Sequence, residues 1–247
     1  MKVLLLGESW FIHLIHQKGF DSFTNSEYQE GGHEFKAALL AQGWEVDHVP
    51  AHRIAERMPT TADGLRQYDC IVISDVGANT FLLTPNVFSN SASEPNRLTA
   101  LRDYVETGGA LLMVGGYLSF AGIEGKARYG QSPLADILPV ELLTTDDRVE
   151  VPEAIPPRVL GVHPALPDGQ QQWPGLLGYN RTRQRPEGKV LVEVGADPLI
   201  AVRQVGAGRT GVFTSDLAPH WAPPPFLAWP DYPQLWVRLI SWLAARD

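Results

Sequence analysis

The chain has 247 residues, of which 44% are hydrophobic and 19% charged, a composition that excludes disorder and fits a packed α/β domain with a sizeable core. Its 20 Lys and Arg against 28 Asp and Glu give a net charge near −8 with no basic run, so the electrostatic term that holds nucleic acid is missing and no such partner is expected. The single cysteine, Cys70, excludes an internal disulfide and suits a reducing compartment, with the cytoplasm as the expected location.

The opening MKVLLLGES starts like a signal peptide, but Gly7 and Glu8 end its apolar run early. It reads as a mature first strand, Lys2 to Leu6, and its unbroken apolar character marks a strand covered on both faces. No apolar stretch approaches the roughly 18 residues that span a bilayer, so no membrane association is expected. Gly32 to Gln42 places Phe35, Ala38 and Leu39 at helical spacing before Gly43, a residue suited to cap a helix. Trp44 to Val49 reads as the second strand and Cys70 to Ser74 as the next, left through Asp75-Val76-Gly77.

Ser89 to Pro95 is turn-rich, and Arg97 to Glu106 carries Leu98, Leu101 and Val105 on one helical face. That helix leads into the strand Ala110 to Val114 and a tight Gly115-Gly116 turn. From Gly122 to about Gly188 nine prolines interrupt any long element, and the segment reads as an irregular insertion covering one sheet edge. Lys189 to Val194, Pro198 to Val205 and Thr210 to Thr214 are strand-like, the last two joined by a Gly206-Ala207-Gly208-Arg209 hairpin. A final helix runs from about Tyr232 to Ala245 with a broad apolar stripe. The alternation predicts one domain over 1–247: a doubly wound, mostly parallel sheet with helices on both faces and its ligand site at the strand C-terminal ends.

Several side chains at such ends could carry chemistry. Glu8 leaves the first strand and could act as a general base or accept a substrate hydroxyl, or else cap a helix or pair with an arginine. Asp216 and His220, with Trp221 beside them, could bring a carboxylate, an imidazole and a stacking surface to one pocket, or form a structural hydrogen bond under a Pro-rich loop. Ser9, Asn79, Tyr117 and Ser119 complete the expected ligand-binding set with Glu8, His220 and Trp221, and the catalytic candidates are His220, Glu8 and Asp216. Ser119 lacks a G-x-S-x-G setting and reads as a ligand contact or strand terminator. Cys70, at the start of an apolar strand, reads as a buried thiol.

His13 and His16 stand at i, i+3 and could share a helix face, with His33 as a third candidate ligand, yet no Cys or carboxylate cluster completes a zinc set. No metal is expected. The absence of G-x-G-x-x-G and G-x-x-x-x-G-K leaves a nucleotide cofactor unsupported, and no cofactor is expected. The apolar stretch WAPPPFLAWP, with Trp221, Phe226 and Trp229, could line the pocket, pack within the chain or form a subunit contact, which leaves a homo-oligomer open.

LLLGESW at 4–10, ISDVGANT at 73–80, GGALLMVGGYLSFAG at 108–122, GVHPAL at 161–166, LGYN at 177–180, DPLIAV at 197–202 and GAGRTGVFTSDLAPHW at 206–221 together resemble the glutamine amidotransferase-like family, a branch of the type 1 glutamine amidotransferase-like superfamily. The chain is also distantly similar to ThuA-like proteins and to the middle domain of certain β-galactosidases. The resemblance implies a flavodoxin-like fold and, in true glutaminases, a Cys-His-Glu triad. Here Tyr117 or Leu118 falls where the cysteine would stand. His220 lies near the place of the histidine, but Ala222 two residues on cannot supply the carboxylate. The expectation is a protein without glutaminase activity that binds a small polar ligand. The alternatives are a cysteine-independent enzyme on a carbohydrate-like substrate using Glu8, Asp216 and His220, and a non-catalytic interaction module.

Overall fold

A computed structural model of the chain describes residues 1–169 and 172–245. Strand β1 (Lys2–Gly7) leads into an arm formed by β2 (Ser9–Lys18) and β3 (Asp21–Glu30), followed by α1 (His33–Leu40) and β4 (Glu45–Val49). Short helices α2 (Ile54–Arg57) and α3 (Ala62–Leu65) precede β5 (Cys70–Ser74), and α4 (Ala78–Leu82), α5 (Pro85–Asn90) and α6 (Arg97–Glu106) precede β6 (Ala110–Val114). The Pro-rich segment contains β7 (Val140–Leu142), β8 (Arg148–Ile155), β9 (Arg158–Val159), β10 (Leu176–Asn180) and β11 (Thr182–Gln184). The chain then forms β12 (Lys189–Val194), β13 (Asp197–Val205), β14 (Gly208–Phe213), α7 (Pro224–Leu227) and α8 (Tyr232–Leu243).

Eight strands form one sheet in the order β4-β1-β5-β6-β14-β13-β12-β9. The five from β4 to β14 run parallel, and the remaining three pairings are antiparallel. This is the α/β, mostly parallel sheet expected from the strand and helix alternation. Side-chain alternation divides the core between its faces: Val3, Leu5, Val72, Leu112 and Val114 join α1 and α8 on one side, while Leu4, Leu6, Ile71, Ile73, Leu111 and Met113 join α6 on the other. Both sets are buried, which is why these strands read as continuous apolar runs rather than alternating ones. A fully buried Leu contributes about 1.5–3 kcal/mol, and this two-sided burial anchors the frame.

One expectation needs correction. His13 and His16 do not share a helix face: they lie on β2, where a separation of three places them on opposite faces of the ribbon. His13 Nδ1 is 2.7 Å from Ser26 Oγ and His16 stacks on Phe23. The physical reason is the two-residue Gly19-Phe20 turn, with Gly19 at φ 67°, which pairs Ser9–Lys18 with Asp21–Glu30 over ten residues. Thr84 caps α5 through Val87 N–H and Pro85 starts it, and residues 91–96 between α5 and α6 are irregular, as their turn-rich sequence leads one to expect. Trp221, Phe226 and Trp229 are buried within the chain, with Phe226 packed on Phe213.

Cys70 sits at the N-terminal end of β5, fully buried, and burial first, with the Asp69 charge second, pushes its thiol far up. It is expected to react slowly with thiol reagents in the native state and rapidly in denaturant. Fast native labelling at neutral pH would contradict its burial.

Candidate functional site

The C-terminal ends of the parallel strands build the site. Gly7 ends β1 at φ 98°, and a Cβ there would lie 2.2 Å from Ser74 O, so only glycine fits. The chain then turns through Glu8 in the left-handed region, φ 49°. Its N–H donates to Ser74 O (2.8 Å) and its carbonyl accepts Gly31 N–H (2.9 Å), which brings the end of the β2–β3 arm back beside β1. The Glu8 side chain is 1% exposed and accepts a hydrogen bond from Ser74 Oγ. Asp75 occupies the equivalent step after β5, also left-handed at φ 42°. It accepts Leu118 N–H at 2.7 Å and donates its own N–H to Ser119 Oγ at 3.2 Å. Non-glycine residues held in this region cost about 1–3 kcal/mol each and concentrate at functional sites. Here both strained residues are carboxylates facing one cavity.

After β14, Asp216 Oδ1 accepts Ala218 N–H at 3.0 Å and Oδ2 lies 3.2 Å from His220 Nδ1. The His220 ring stacks on Trp221 (5.0 Å between centroids, 24° between planes) and meets the Tyr117 ring edge-on at 4.3 Å. Glu150 on β8 ties the group together, accepting Tyr117 OH at 3.1 Å and Trp221 Nε1 at 2.9 Å. Arg148 covers the Tyr117 ring at 4.7 Å. Gly178 on β10 makes room for the indole, since a Cβ there would lie 2.3 Å from Trp221 Nε1.

These groups surround a cavity of about 450 Å³, lined by Glu8, Trp10, Gln29, Glu30, Gly31, Gly32, His33, Glu34, Asp75, Tyr117, Asp216, Ala218, Pro219 and His220. Five carboxylates and two histidines line it, with no Lys or Arg. Burial, then the charges of Asp216 and Asp75, raises the Glu8 carboxyl well above its ordinary value, against the opposing Ser74 hydroxyl and Lys36 charge. Burial, then Asp216, pushes Asp75 up to about 6. The hydrogen bond to Asp216 raises the His220 imidazole, with burial opposing. The cavity therefore holds a carboxyl of raised proton affinity and a carboxylate-supported imidazole, a combination suited to donating and accepting protons.

Of the residues picked out from sequence, Glu8, Tyr117, Asp216 and His220 are brought together in this lining, and four lie outside it. Ser9 is buried and its Oγ accepts Ala51 N–H at 2.8 Å, tying the arm to the segment after β4. Ser119 is buried and supports Asp75, Trp221 lies beneath His220, and Asn79 is exposed in the first turn of α4. Asp75 was detectable in sequence by the same strand-end position as Glu8. Trp10, Gln29 and Glu30 come from the arm, and Glu150 and Arg148 from a strand inside the Pro-rich segment, so no local signal tied them to the site. Among the described residues no three His, Cys, Asp or Glu side chains are arranged to hold a metal ion, and no helix is long and apolar enough to cross a membrane.

The Glu8 environment predicts a pH dependence of stability. A carboxyl raised above its ordinary 4.5 makes the native state bind more protons than the unfolded one, so stability is highest below that value and falls as pH rises through the native pKa. Urea unfolding should show stability falling as the pH rises above about 4.5. Glu8→Gln should flatten that slope and exceed the parent in stability at the alkaline end, leaving the Asp75 contribution, which is lost as the pH rises through about 6. An unchanged slope would remove Glu8 from this role. Proton NMR should place the His220 midpoint above 6.5 in the parent and lower it in Asp216→Asn.

Comparison with known proteins gives this arrangement a setting. The cytoplasmic protein STM3548 from Salmonella typhimurium is 44% identical, with a TM-score of 0.95 over 98% of this chain and 99% of its own. The fold alone is shared with a ThuA-like protein from Parabacteroides merdae (13% identity, TM-score 0.58, 100% of this chain and 90% of that one). It is also shared with a β-galactosidase from Bacillus circulans (13% identity, TM-score 0.53, 85% of this chain and 26% of that one). No curated protein matches the sequence significantly. A family model described as "Putative glutamine amidotransferase" matches residues 2–245, and with that match over nearly its whole length the chain belongs to this glutamine amidotransferase-like family.

Proposed function

We propose that this protein binds a small polar ligand, neutral or cationic, in the cavity at the strand ends and does not hydrolyse glutamine. The observation that carries the reading is the convergence of Glu8, Asp75, Asp216 and His220 on one cavity while the single thiol, Cys70, lies at the opposite end of β5. A glutaminase needs an activated nucleophile and a group that orients its base. The turn after β6 carries Tyr117 and Leu118, and Ala222 stands two residues beyond His220. The ligand's charge follows from the lining: five carboxylates without Lys or Arg repel phosphates and carboxylates and accept hydroxyls, amides or ammonium groups. Trp10 and Tyr117 offer aromatic surface for the ligand's apolar face. A cytoplasmic location accords with the single reduced, buried cysteine.

A second reading, an acid/base enzyme acting on a carbohydrate-like substrate, is favoured by one observation. Glu8, its proton affinity raised by burial, lines the same cavity as the Asp216–His220 pair, and groups whose environments differ in this way divide acid and base roles.

Incubation with glutamine should release no ammonia above a no-protein control, and release abolished by Cys70→Ser would overturn the reading. A thermal-shift screen of amines, amides, sugars and anions should find stabilisation among the first three, since a ligand at a hundredfold excess over its Kd adds about 2.7 kcal/mol. Asp216→Asn should weaken that stabilisation. Stabilisation by anions alone would contradict the charge argument, and turnover of a chromogenic glycoside would promote the second reading.

A further inference from the structure

The β2–β3 arm forms a two-stranded sheet of its own. Among the described residues, 10–18 make no backbone hydrogen bond to any element except β3. Such a ribbon is marginal in water without a third strand or a packed face. Its apolar side chains are open to solvent: Ile15 is 75% exposed, and Phe11 and Phe23 are each about half exposed. A set of this size on one projection marks an interface.

The two free edges are not equivalent. β3 carries Asp21, Glu27 and Glu30 and no Lys or Arg, so pairing it with its own copy would gather like charges from both strands along one seam, which protects that edge. β2 carries no carboxylate. Centred on His13, its pattern reads nearly the same in both directions: Phe11 falls opposite Ile15 of the copy, Ile12 opposite Leu14 and Trp10 opposite His16. Such cross-strand pairs contribute about 0.2–1 kcal/mol each, and an antiparallel strand paired with itself is isologous by geometry.

We propose that two copies of this chain associate along the outer edge of β2, antiparallel about a twofold axis at His13, to form a four-stranded sheet from the two arms. The root of the arm supplies Trp10, Gln29 and Glu30 to the cavity wall, so the pairing also fixes one side of the ligand site. The proposal stands independently of the ligand's identity.

Cysteine substitution tests the register. Residues opposite each other on paired antiparallel strands have Cα atoms about 4.5–5.5 Å apart, within disulfide range, and the native Cys70 is buried and cannot compete. Under mild oxidation His13→Cys should give a covalent dimer and Asn25→Cys on β3 should not. In analytical ultracentrifugation the parent chain should sediment as a dimer, and Ile15→Glu should weaken the dimer at least about tenfold with an unchanged circular dichroism spectrum. A monomeric parent, a dimer that persists in Ile15→Glu, or cross-linking through Asn25→Cys in place of His13→Cys would each overturn the proposal.

Discussion

The rest of the structure depends on the register of four parallel strands. Gly7 pairs with Ser74, Ser74 with Val114 and Val114 with Phe213, so β1, β5, β6 and β14 end level with one another. Burial on both faces holds that register, because sliding any strand would carry Leu4, Ile71 or Leu111 out of one core and into the other. The residues that follow these ends, Glu8, Asp75, Tyr117 and Asp216, are consequently delivered to one rim, and their proximity follows from the sheet rather than from any attraction between like charges.

That proximity is electrostatically unfavourable, and the chain compensates locally. Ser74 donates to Glu8, Leu118 N–H donates to the Asp75 carboxylate, and Ala218 and His220 satisfy Asp216. Burial first, and the remaining repulsion second, raise the proton affinity of Glu8 and Asp75. A merely structural rim would relax by placing neutral residues at these positions. Retaining three carboxyls, two of them on left-handed backbone, supports a role for the cavity in binding or proton transfer.

Two places in the structure support the proposal that this chain does not hydrolyse glutamine. Where a nucleophilic turn would follow β6, Tyr117 points its ring at His220 and its hydroxyl at Glu150, becoming a wall of the cavity. Where a carboxylate would orient the imidazole from two residues beyond, Asp216 four residues before His220 does so. The imidazole thus keeps an acidic partner in a protein whose thiol is buried at the far end of β5.

The sequence by itself determined the main frame. Continuous apolar runs specify strands covered on both faces, glycines mark their exits, and the apolar stripe of residues 232–243 specifies a helix lying on the sheet. Those signals are local, and they also placed Glu8, Tyr117, Asp216 and His220 at strand ends. Tertiary structure alone decided what surrounds them. Glu150 and Arg148 arrive from a strand more than a hundred residues from Glu8, Ser9 and Ser119 turn inward to brace backbone, and Trp10, Gln29 and Glu30 reach the cavity because the Gly19 turn folds the arm back onto β1. Each outcome depends on which segments pack together in space, and neither periodicity nor spacing along the chain carries that information.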